Sequence, residues 1–239
     1  GGKYPLVLKP DAGERGTNVL VASNEEEAQK YIREADFDFL VQEYIPGREF
    51  GIFYYRYPEE KTGRIFAITD KKFLSLQGDG RSTVEELILR DERAFMMAGV
   101  HFEQNSTSLS FIPGTGESFP LVKLGNHCRG AVFYDGLRLL TPALEKKVDE
   151  LSRKFRGFYF GRYDVRSPSE SALMRGNFRV IELNGITSEA TSIYDPSSSV
   201  FRAWKTLFMQ WKIAFEIGRQ NSEKGFRPLG AMEFLRVVF

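Results

Sequence analysis

Three oxygen-bearing side chains in the C-terminal half could hold one cation. The run Phe178-Arg179-Val180-Ile181 reads as a strand, and it delivers Glu182 and then Asn184. Side chains two apart on a strand share a face, so a carboxylate and a carboxamide aim the same way. Residues 158–166 read as a second strand. If 159–166 and 178–184 pair antiparallel around the polar connector that starts at Ser167, a symmetric register sets Asp164 opposite Glu182. Directly opposed Cβ atoms lie roughly 4.5–5.5 Å apart, where like charges repel unless a cation sits between them. Asp164, Glu182 and Asn184 form the hard donor set that suits Mg²⁺ or Mn²⁺ bound together with substrate phosphates. The same three residues also fit a plainer description, polar side chains at the end of a sheet.

Two further stretches carry binding chemistry. Lys9 precedes a loop, Asp11 to Asn18, in which Gly13 and Gly16 bracket Glu14-Arg15 and are followed by Thr17. Glycine lets the backbone approach an anion closely, and lysine supplies a point charge. The spacing is not that of a Walker loop, and a glycine-rich connection between strands equally describes a turn. In Gln42-Glu43-Tyr44-Ile45-Pro46-Gly47-Arg48-Glu49, a strand leaves into a turn. Its backbone groups could pair with a purine, and Glu49 could accept bonds from ribose hydroxyls; a solvent-facing Glu beside a turn is the alternative.

The elements that must position these residues are legible in outline. Residues 6–10, 19–21, 39–44, 50–57 and 65–69 have strand character. Ser23 reads as the N-cap of a helix with Glu25, Glu26 and Glu27 in its first turn and Ala28, Tyr31 and Ile32 on its apolar side. Gly78-Asp79-Gly80 is a tight turn before a helix from Thr83 to Arg90. Pro142 starts another helix, running to about residue 155, and the connector from Ser167 reads as polar and exposed. From Ser199 to about Arg219, Val200, Trp204, Leu207, Phe208 and Trp211 recur at helical spacing, so Trp204, Phe208 and Trp211 are expected in the core. Mixed strands and helices with antiparallel hairpins predict an α+β fold with mostly antiparallel sheets. A break at Pro46-Gly47 divides the chain into residues 1–46, carrying the phosphate loop and purine strand, and 47–239, carrying the candidate metal hairpin.

Bulk composition narrows the function classes. A 239-residue chain with 42% hydrophobic and 27% charged residues can build a sizeable core. A net charge of +1 gives no argument for nucleic acid or a membrane surface as partner. No apolar run approaches the roughly 20 residues of a transmembrane helix. The single cysteine, Cys128, excludes an internal disulfide and points to a reducing, cytoplasmic setting. It adjoins His127, but neighbours on a strand face opposite ways, which disfavours a catalytic dyad. His101 has no partner pattern and reads as structural.

Taken in order along the chain, these stretches resemble the ATP-grasp superfamily, and among its members the carboxylate-amine ligases of the D-alanine-D-alanine ligase, RimK-like and cyanophycin-synthetase-like groups. "PLVLKPDAGERGTNV" is similar to the phosphate-binding strand and glycine-rich loop, "LVQEYIPGREF" to the adenine-ribose segment, and "GDGRSTVEELI" to a cyanophycin-synthetase segment. "KLGNHCRGAVF" resembles the Asn-containing, Arg-Gly loop of the RimK-like enzymes, and "GRYDVR" and "VIELNG" the two metal-binding strands.

The resemblance implies an ATP-grasp fold of two subdomains with nucleotide between them. It implies ATP and Mg²⁺ (or Mn²⁺) as cofactors, and a small-molecule carboxylate and amine as substrates. It places Lys9 and the loop bearing Gly13, Arg15, Gly16 and Thr17 on the phosphates, with Lys71 or Lys72 adding a contact. Glu43 and the Ile45 backbone would face adenine, and Glu49 the ribose. Asp164, Glu182 and Asn184 would bind metal, Arg162 would stabilise charge on the reacting carboxyl, and Asn126 and Arg129 would stand near the γ-phosphate or the acyl acceptor. Ser192 and Tyr194 fall where relatives bind the second substrate. The chain is expected to lack the family's usual N-terminal domain and its further phosphate-contacting lysine. Gly185-Ile186-Thr187-Ser188-Glu189 also lacks the proline that follows the metal Asn in D-alanine-D-alanine ligases. An ATP-grasp kinase acting on a hydroxyl, and a non-catalytic nucleotide-binding module, are the alternative readings.

Overall fold

The computed structural model describes residues 3–13, 16–122 and 130–238. Its strands are β1 (Leu6–Pro10), β2 (Leu20–Ala22), β3 (Phe39–Glu43), β4 (Arg48–Tyr55), β5 (Arg64–Lys72), β6 (Ser75–Gln77), β7 (Ser118–Pro120), β8 (Val132–Asp135), β9 (Phe160–Ser167) and β10 (Arg179–Asn184). Its helices are α1 (Glu25–Glu34), α2 (Val84–Arg90), α3 (Glu92–Phe95), α4 (Ala98–Gln104), α5 (Pro142–Ser152), α6 (Glu170–Met174), α7 (Val200–Glu223) and α8 (Ala231–Val238). The α+β class expected from the sequence is the one observed. Among the described residues no helix is long and apolar enough to cross a membrane.

The chain divides into two compact units. Residues 1–46 and 71–132 form one; residues 47–70 and 133–239 form the other. In the first unit, β1 is the centre of a three-stranded antiparallel sheet, with β2 and β3 on either side. Leu8, Ala22 and Ala28 make its core, with Leu20, Tyr31 and Phe39 packed around them. The cap of α1 lies one residue beyond the expected Ser23. Asn24 accepts the Glu27 N–H at 3.0 Å, while the Ser23 N–H donates outward to the Glu27 carboxylate at 2.8 Å. Ile32 is exposed, so the buried side of α1 is narrower than its apolar residues suggest. A capping box between Thr83 and Glu86 starts α2.

The second unit is built on a five-stranded sheet of order β10-β9-β4-β5-β8. β4 runs antiparallel to β9 and sets Phe50 against Val165 and Ile52 against Tyr163. On that face Phe50, Ile52, Tyr54, Tyr163 and Val165 pack with Leu144 and Val148 of α5 and Leu173 of α6. Part of the opposite face is also apolar: Phe53 and Phe160 meet Ile213 and Ile217 of α7. The rest of it carries the candidate site.

Two expectations are corrected in this unit. The connector after β9 is not simply exposed: its Ala172-Leu173 pair is apolar, so α6 forms, capped by Ser169, and buries both. Ser167 is fully buried and donates to the Asn177 carbonyl at 2.7 Å. Trp204, Phe208 and Trp211 are not core. α7 turns Gln210, Ile213, Ile217 and Gln220 inward and leaves those three rings in solvent.

Candidate functional site

The hairpin β9–β10 sets the site. Asp164 lies opposite Glu182 and Arg162 opposite Asn184, and a bulge between Val180 and Glu182 re-aims the end of β10. The pairing expected from the sequence is thus observed at Asp164–Glu182, while on the Val180 side of the bulge the register is shifted by one residue. Alternation along β4 and β9 puts Glu49, Gly51, Arg162, Asp164 and Arg166 on a single face, the one that becomes apolar at Phe53 and Phe160. Charged side chains occupy a largely buried sheet surface here.

The charges are partly matched. Arg162 reaches Asp164 through Nε at 3.2 Å and Nη2 at 3.3 Å, and its Nη1 donates to the Glu189 carbonyl at 3.1 Å. The Asn184 carboxamide makes a long contact to Asp164 at 3.4 Å. Arg166 pairs with Glu49 at 3.2 Å, with both side chains buried. Glu182 is exposed and has no hydrogen-bond or ion-pair partner among the described residues.

Gly51 makes the room. A Cβ there would stand 3.4 Å from the Asp164 carboxylate, the Arg162 Cδ and the Thr69 Cβ. Thr69 in turn meets Thr191 across a buried hydroxyl pair at 2.9 Å.

The segment after β10 is fixed from behind by α7. Gln210, buried, accepts the Ala190 N–H at 2.9 Å and donates to the Ser188 carbonyl at 3.1 Å. Tyr194, in a 3-10 turn over Thr191–Tyr194, donates to the Glu189 carboxylate at 2.6 Å.

Two carboxylates and a carboxamide are the oxygen donors that a hard divalent cation would need here. Glu182 is an uncompensated carboxylate directly across from a buried one, and such a pair is destabilising without a cation. Asn184 offers its carbonyl oxygen once the amide is turned over. Among the described residues no three His, Cys, Asp or Glu side chains gather at metal-holding spacing, so the set reaches three only through this carboxamide.

No family model matches the chain, and no curated protein sequence matches it. Among solved structures it is similar to a bifunctional glutathione synthetase from Pasteurella multocida. The identity is 16% and the TM-score 0.44, over 87% of this chain and 30% of that one. At that level the likeness assigns neither a family nor an activity, and this chain spans less than a third of the other's length.

The remaining expected residues fall in the first unit. Lys9 is on β1 opposite Leu40, and Glu43, the last residue of β3, is opposite Leu6. Alternation gives Lys9 the face of Gln42 and Leu40, and Glu43 the other face, so the three-stranded sheet does not bring Lys9 and Glu43 together. Ile45 follows β3 in the turn. Gly16, at φ +70°, adopts the left-handed conformation that favours glycine, and its carbonyl accepts the Val19 N–H. Gly13 and Thr17 lie in the same loop, with Arg15 between them outside the described residues. Along β5, Lys71 is buried and alternates with Lys72, taking the side that Thr69 occupies. Asn126 and Arg129, with His127 and Cys128, also lie outside the described residues.

Sequence reasoning missed Gly51, Arg166 and Gln210. The first two had a signal: Gly51 is two residues from Glu49, and Arg166 two from Asp164, so a strand reading puts each pair on one face. Gln210 had none, since a glutamine inside a helical pattern reads as surface.

Proposed function

We propose that this chain is an ATP- and Mg²⁺-dependent ligase of the ATP-grasp kind, joining a carboxylate to an amine through an acyl phosphate. The observation that carries the reading is the Asp164–Glu182 register, with Asn184 beside it and Arg162 on the same face. The ordered motifs supply the rest of the assignment.

A carboxylate is a poor electrophile, and phosphoryl transfer to it creates a leaving group that an amine can displace. In this reading Asp164, Glu182 and Asn184 hold Mg²⁺, which would neutralise charge on the phosphates as the phosphoryl group moves. Arg162 is held from both sides, by Asp164 and by the Glu189 carbonyl, so its guanidinium is pre-positioned to meet the oxyanion of the tetrahedral step. Lys9, Lys71 and Lys72 are assigned to phosphate, the loop bearing Gly13, Arg15, Gly16 and Thr17 to the same group, and Glu43, Ile45 and Glu49 to the nucleoside. Arg166 fixes the Glu49 carboxylate in place. Asn126 and Arg129 are assigned to the γ-phosphate or the acyl acceptor.

The test is calorimetric titration of a non-hydrolysable ATP analogue, with and without Mg²⁺, into this chain and into Asp164→Ala/Glu182→Ala. Mg²⁺-dependent binding that the double variant loses supports the proposal. Binding that ignores Mg²⁺, or survives in the variant, refutes it. Product analysis then separates ligation, which releases free phosphate, from phosphorylation of a hydroxyl, which leaves phosphate on the product.

A further inference from the structure

The exposed rings of α7 are not scattered. Phe201, Trp204, Phe208, Trp211 and Phe215 follow one another at spacings of three and four and form one stripe along the helix. Phe208 and Phe215 are each 76% exposed, and Trp204 and Trp211 more than half. The stripe runs nearly opposite the side that buries Ile213 and Ile217. Aromatic side chains offer about 150–250 Å² each, so the exposed area is on the order of 600 Å². That is at or above the largest apolar patch a soluble monomer usually shows.

Charge specifies what this surface suits. Lys205 and Lys212 follow Trp204 and Trp211 and line one edge of the stripe, both exposed. Residues 199–238 hold seven basic and three acidic side chains, although the whole chain is only +1. The remainder is therefore net acidic, and the near-neutral total conceals a basic, aromatic C-terminal segment. α8 adds exposed Met232, Phe234 and Leu235 in the same segment. On the same edge Glu216 and Glu223 are taken up by Arg219, which pairs with both, so Lys205 and Lys212 set its charge.

We propose that α7 seats on an anionic phospholipid bilayer, with its aromatic stripe in the interfacial layer and Lys205 and Lys212 against the headgroups. Aromatic residues on one side and lysines beside them are the composition of helices that lie in a membrane interface rather than span it. Each lysine near an anionic surface contributes a several-fold gain in affinity.

Trp204 and Trp211 are the chain's only tryptophans, so intrinsic fluorescence reports the stripe directly. The full chain would be mixed with phosphatidylcholine vesicles, with and without phosphatidylglycerol. The expected result is a blue shift and co-sedimentation that need phosphatidylglycerol and weaken with salt. Lys205→Gln and Lys212→Gln should each lower affinity about fivefold, and Phe208→Ser/Phe215→Ser should reduce it more than tenfold, all with unchanged thermal melts. The proposal is overturned if the chain ignores phosphatidylglycerol, or if the phenylalanine variants bind as the parent does. It is equally overturned if light scattering shows a dimer that Phe208→Ser dissociates without any vesicle binding, because a second copy then covers the stripe.

Discussion

Replacing Glu182 by glutamine tests the candidate metal site without any substrate. In the structure Glu182 faces Asp164 across the β9–β10 hairpin, and Arg162 is engaged with Asp164 rather than with Glu182. At about 5 Å, two unit charges cost about 0.8 kcal/mol in water and about 3 kcal/mol at an effective dielectric of 20. Glu182 is exposed and Arg162 already offsets part of the Asp164 charge, so the lower end applies, about 0.5–1 kcal/mol. Glu182→Gln should therefore stabilise the metal-free protein by that amount, a rise in melting temperature of about 1–4 °C for a chain of this size. Mg²⁺ with an ATP analogue should then reverse the order. The parent gains stability in proportion to the logarithm of ligand over its dissociation constant, and the variant gains little. Calorimetric melts under four conditions (parent and variant, with and without Mg²⁺ and analogue) measure both signs. A variant less stable than the parent without metal would show that Glu182 has a structural role. Equal gains from ligand in both proteins would show that Glu182 does not bind metal.

Two other outcomes follow from particular contacts. Gln210→Leu strips partners from the Ala190 N–H and the Ser188 carbonyl, both turned toward α7; it should cost about 3 kcal/mol in urea unfolding, whereas Gln210→Glu keeps an acceptor for Ala190 and should cost less. Glu170 is held at about 2, from an ordinary value of 4.5, chiefly by its hydrogen bond from Arg138 and further by Arg48. A depressed carboxylate lends stability above its unfolded value and loses it as pH falls, so the parent should lose stability between pH 4.5 and 2. Glu170→Gln should flatten that part of the pH profile, and identical profiles would count against the pairing of Glu170 with Arg48 and Arg138.

What the sequence revealed, and what it hid, follows from how far each signal reaches. The open end of the hairpin was legible because alternation and a connector centred between two strands, both local properties, give its pairing; the bulge between Val180 and Glu182 was not. Asp164 opposite Glu182 therefore survived the step from pattern to structure, even with α6 folding inside the connector. The α7 stripe was illegible for the converse reason. Helical periodicity shows that Trp204, Phe208 and Trp211 share a side, but not whether the core is on that side. α7 carries two apolar sides, and which of them turns inward depends on what the rest of the fold offers it. Gln210 can satisfy the Ala190 and Ser188 backbone only if its own side turns inward, and that rotation takes Ile213 and Ile217 to Phe53 and Phe160. The larger aromatic rings are left outside. The same rotation that holds the segment behind Glu189, and through its carbonyl Arg162, is thus what presents the stripe to solvent. Anything that rolled α7 to bury its rings would withdraw Gln210 from that segment, so the candidate site and the exposed aromatic surface depend on one helix orientation.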